Sequence, residues 1–123
     1  MRRAFAHDAV LLMEADGDVG APGAAITVAL CGHWNHRPPC PLAPHHTSAE
    51  RSGGEVRLRV LFAAEPAAEQ EVRGRIEAAL SRAAFDGPDG VTTHWRLYSA
   101  GPGPVRKDEL GHAERLAAEG DAV

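Results

Sequence analysis

Aromatic side chains, basic runs and long apolar stretches are all scarce in this sequence, and each shortage removes a class of function. Only 5% of the 123 residues are aromatic, so a core has to be built mainly from Val, Leu, Ile and Ala. Lys and Arg number 13 against 17 Asp and Glu, a formal net charge of −4, and no basic run appears. Nucleic-acid binding rests on a clustered positive footprint that displaces counterions, so that class is set aside. Behind Met1-Arg2-Arg3, His7 and Asp8 interrupt the chain, and the apolar run Ala9 to Met13 is too short for a signal-peptide core or a membrane span. A cytoplasmic protein is expected, with neither nucleic acid nor membrane as partner. The length suits a single domain over residues 1–123.

Cysteine is also rare: there are two, Cys31 and Cys40. In a reducing compartment they read as thiols or metal ligands rather than as a structural disulfide. Both fall in one stretch, CGHWNHRPPCPLAPHHT at 31–47, which also carries four of the seven histidines. The candidate ligands are Cys31, His33, His36, Cys40, His45 and His46, in the pattern C-x-H-x₂-H-x₃-C-x₄-H-H. Thiolate and imidazole select Zn²⁺, Cu⁺ and related borderline or soft ions. No Asp or Glu lies between Asp18 and Glu50, which argues against Ca²⁺ or Mg²⁺. Pro38, Pro39 and Pro41 lower the entropy lost when such a loop closes around an ion.

The expected cofactor is therefore Zn²⁺, with Cu⁺ as the alternative, in a loop spanning 31–46. Six candidates exceed the four of a tetrahedral site, and His45 and His46 read as interchangeable. The pattern matches no standard finger spacing. Two functions follow: a metal-binding protein for metal handling or sensing, or as a metal-stabilised interaction domain; and a small metalloenzyme acting on a small molecule near the loop. An open coordination position separates them. Trp34 would either exclude water beside an ion or anchor the loop. A Cys/His nucleophilic dyad lacks an orienting group, and the Gly/Pro segment 99–107 makes a poor phosphate cradle because Pro102 and Pro104 carry no N–H.

For the scaffold, residues 8–16 and 24–34 read as strands pairing in a hairpin, and 35–54 as an irregular loop with four prolines. Val56, Leu58, Val60 and Phe62 alternate as a third strand. Val72, Ile76 and Leu80 form the stripe of a helix opening at Pro66. Residues 91–100 read as a fourth strand and roughly 106–118 as a second helix. The order predicts an α+β two-layer sandwich, ferredoxin-like or a close variant, with a four-stranded sheet and two helices on one face. The other face, with Arg57, Arg59, His94, Arg96 and Tyr98, is left for solvent or for a homodimer. His7 and His112 are expected in solvent.

Overall fold

The computed structural model describes residues 2–31, 43–87 and 89–121. Its elements are β1 (Arg3–Met13), α1 (Ala21–Cys31), β2 (His45–Ser52), β3 (Glu55–Ala64), α2 (Glu69–Ser81), β4 (Ala84–Asp86), β5 (Thr92–Gly103) and α3 (Leu110–Asp121). Short 3₁₀ turns at Pro66–Ala68 and Lys107–Glu109 lead into α2 and α3. The strands make one curled five-stranded sheet, in the order β2-β3-β1-β5-β4, with every neighbouring pair antiparallel.

The α+β character stands, but the four-stranded, ferredoxin-like sandwich with both helices on one face does not. Among the described residues the sheet has five strands and there are three helices, and four local readings account for the difference. The segment taken as a second strand is α1. Ile26, Val28 and Leu30 alternate like a strand, yet Ala21, Pro22, Ala25, Ile26 and Leu30 are the buried set, spaced as one helical face. Alanine favours the helix, Pro22 fits its first turn, and the Asp18 side chain accepts the Gly20 N–H at 2.9 Å just before it.

The segment taken as an irregular loop contains β2. Its eight residues pair with β3 through a two-residue turn at Gly53-Gly54, and Gly53 has φ 62°, the left-handed geometry that tight hairpins demand. The helix opening at Pro66 is shorter than expected, and Ala83, at φ 62°, breaks the chain out of it into the short edge strand β4. Trp95 closes that end: its indole N–H donates to Leu80 O and its backbone N–H to Ala83 O, both at 2.9 Å.

Finally, α3 lies on the opposite face from α1 and α2. The main core packs Leu11, Val56, Val60 and Phe62 under Ile26, Leu30, Val72, Ile76 and Leu80. A smaller apolar patch joins Ala6, Leu61 and Ala63 to Ala113 and Leu116 of α3. The face reserved for solvent or a second copy is thus partly covered. Leu61 is 3% exposed beneath α3, while Tyr98 is exposed beside a bulge in β5.

Arg59 fastens α3 down. Its guanidinium donates to both Glu109 carboxylate oxygens at 2.7 and 2.8 Å, to Asp8 Oδ1 at 2.8 Å and to Pro104 O. Gly103 is required beside it, because a Cβ there would collide with the Asp8 carboxylate. The Arg59 bonds hold the Glu109 carboxyl down to about 2, against the opposing effect of burial.

Candidate functional site

Beyond Cys31 at the end of α1, the described chain resumes at Ala43-Pro44. This point is firmly held. Ala43 and Pro44 are buried, and Ala63 N–H of β3 donates to Pro44 O at 2.9 Å. The next two residues begin β2, so strand alternation sends their rings to opposite faces. His45 turns towards α1, where its Nε2 lies 2.9 Å from Thr27 Oγ1. His46 turns towards α3, where its ring meets His112 with centroids 4.9 Å apart and planes inclined at 58°. The two histidines therefore face different elements, α1 and α3.

The protonation of His45 follows from its partners. A backbone carbonyl only accepts, so the 3.1 Å contact of Nδ1 with Ala43 O places the ring proton on Nδ1. Nε2 faces the Thr27 hydroxyl, which donates its own proton to Gly23 O at 3.1 Å. Imidazole ligands commonly have one nitrogen oriented by a backbone carbonyl in this way. Cys31, the last residue of α1, is four residues beyond Thr27, so its Cα lies about one turn, roughly 6 Å, further along the helix. His45 thus sits beside α1 at Thr27, one turn before the helix ends.

A groove of about 360 Å³ runs beside them, lined by Gly23, Thr27, His45, Thr47 and Leu58 among others. Thr47 Oγ1 is sealed from solvent there without a hydrogen-bond partner among the described residues. Of the remaining candidates, His33, His36 and Cys40 lie outside the described residues, as does Trp34. Among the described residues no group of three or more His, Cys, Asp or Glu side chains is arranged to hold a metal ion.

No protein-family model, curated protein or solved structure matches this chain. The site therefore has to be read from its own chemistry.

A second polar cluster went unnoticed in the sequence. His7, expected in solvent, is 1% exposed. Arg73 Nη1 donates to its Nδ1 at 3.0 Å, so the ring proton sits on Nε2, 3.0 Å from Glu77 Oε2. Arg73 also donates to Ala6 O at 2.7 Å and Glu69 Oε2 at 2.8 Å, and its guanidinium stands 5.3 Å from the Phe62 ring centroid. Burial pushes the His7 pKa below its usual value, Glu77 opposes this, and the Arg73 charge adds to it. With His7 and Arg73 buried and the Glu69 and Glu77 carboxylates reaching solvent, the cluster fastens α2 to β1. Its signal was available: His7 has the same strand parity as Phe5, Ala9 and Leu11, which pack in the main core.

Among the described residues no helix is long and apolar enough to cross a membrane.

Proposed function

We propose that the chain is a small Cys/His metal-binding protein that takes up Zn²⁺, with Cu⁺ as the next choice, for metal handling or sensing or to stabilise an interaction domain. The ligands come from Cys31, His33, His36, Cys40 and His45, and the carrying observation is the placement of His45. Its ring is held between Ala43 O and Thr27, one helical turn before α1 ends at Cys31. A reducing cytoplasm would keep both cysteines available as thiolates. His46 belongs to the opposite face and is left out of this set.

Elemental analysis of untagged protein reloaded with Zn²⁺ tests the reading. About one ion per chain is expected, as a tetrahedral Cys/His site requires. Replacing Cys31 and Cys40 together by Ser should abolish that uptake, and His45→Gln should weaken it where His46→Gln does not. Substoichiometric zinc after reloading would refute the proposal.

The groove beside His45, with the unpartnered Thr47 hydroxyl facing no described partner, favours a second reading as a small metalloenzyme. It offers room for a small molecule next to the ion. The two readings part on coordination: a Co²⁺-loaded chain whose visible spectrum shifts on adding azide has an open position, and an unresponsive spectrum indicates a closed four-ligand site.

A further inference from the structure

We propose that His46 and His112 form a second, exchangeable transition-metal site, bridging β2 and α3 on the face of the sheet opposite His45. It shares no residue with the centre proposed above and does not depend on it.

The separation of the rings carries the argument. With metal–nitrogen bonds of 2.0–2.1 Å and a ring centroid roughly 1.1 Å behind its nitrogen, a shared ion would sit about 3.2 Å from each centroid. Two such centroids are about 4.5 Å apart at a right angle of coordination and about 5.2 Å apart at a tetrahedral angle. The observed 4.9 Å falls between the two, and the rings are inclined at 58° rather than stacked flat.

The scaffold holds this spacing without the ion. His46 is opposite Leu61 in the β2–β3 ladder, and Leu61 packs in the same buried patch as Ala113, the residue that follows His112. Each ligand thus stands on a regular element anchored to the other through the patch, which is the rigidity a metal pair needs. His46 is exposed and His112 half-buried, so the pair is open to ions from solution. Two imidazoles, with water filling the remaining positions, select borderline divalent ions: Zn²⁺, Ni²⁺ and Cu²⁺.

The full chain carrying Cys31→Ser and Cys40→Ser removes the thiolates and leaves this pair intact. Calorimetric titration with Ni²⁺ should show one ion bound. Adding either His46→Gln or His112→Gln should weaken that binding on the order of 100-fold, the upper end of what loss of an outer-shell partner costs. His45→Gln should leave it unchanged. Because the ion links two elements of the native state, Ni²⁺ should raise the melting temperature of the cysteine-free chain but not of its His112→Gln derivative. The two glutamine variants lie on different elements, so misfolding of one, seen by circular dichroism, leaves the other to decide. No nickel uptake by the cysteine-free chain, undiminished uptake after either replacement, or an equal loss after His45→Gln would overturn the proposal.

Discussion

The two faces of the sheet are held by different forces. On one, α1 and α2 bury Ile26, Leu30, Val72, Ile76 and Leu80 against aliphatic and Phe side chains of β1 and β3. On the other, α3 buries Ala113 and Leu116 in a small patch and takes its orientation from the Arg59 bonds to Asp8 and Glu109. Apolar burial is strong and non-directional, whereas an arginine gripping two carboxylates is geometrically exact and responds to pH. The first face supplies most of the stability. The second fixes where α3 sits, and with it the approach of His112 to His46.

The largest expected effect breaks the first face. Ile76 is 0% exposed, and Ile76→Ala should cost about 2–5 kcal/mol through lost burial and a residual cavity. The matching change on the other face, Leu116→Ala, should cost clearly less, because α3 can settle into the space. Urea denaturation measures both, and equal losses would erase the contrast.

Acid sharpens it. His7 is held below its ordinary 6.5 by burial, so the unfolded chain takes up the proton first, and stability falls as pH drops below about 6.5. Glu109 is held at about 2 against an ordinary 4.5. Its contribution is complete above about 4.5 and is lost as pH falls from there towards 2. Denaturant midpoints measured against pH should therefore show two arms. His7→Gln should flatten the one that opens below 6.5, and Glu109→Gln the one below 4.5. An exchange of these effects would show that the faces have been assigned the wrong chemistry.

The smallest effect concerns the end of α2. Ala83 carries a left-handed φ of 62°, which costs a residue with a Cβ about 1–2 kcal/mol, while glycine loses more chain entropy on folding. Ala83→Gly should stabilise by about 0.5 kcal/mol after that offset, visible as a small rise in melting temperature.

Parts of this architecture were plain in the residues. The alternation of Val56, Leu58, Val60 and Phe62 marked β3, and the stripe Val72, Ile76, Leu80 marked α2, because each has one strong period and a deep core to face. The helix α1 was hidden by its own apolarity: packed on several sides, it shows no polar stripe to reveal a helical period, and its Ile26-Val28-Leu30 spacing imitates a strand. The strand β2 was hidden for the opposite reason. It is an edge strand, largely exposed, and HHTSAERS carries little apolar alternation to declare it. One clue was readable and passed over. Leu61, Phe62, Ala63 and Ala64 form an unbroken apolar run, and all four are buried, as expected for a strand covered on both faces.

The candidate site divides along the same line. By itself the sequence determined which donor atoms are on offer: thiols and imidazoles concentrated in one stretch without carboxylates, because each side chain carries its donor atoms wherever it folds. Only the tertiary structure decided which donors share a side. The parity of β2 sends His45 to α1 and His46 to α3; the packing of α3 on the far face brings His112 from the other end of the chain; and α2, through Arg73 and Glu77, covers His7. Periodicity records which residues lie on a common face of their own element, but what that face meets is set by packing between elements distant in sequence.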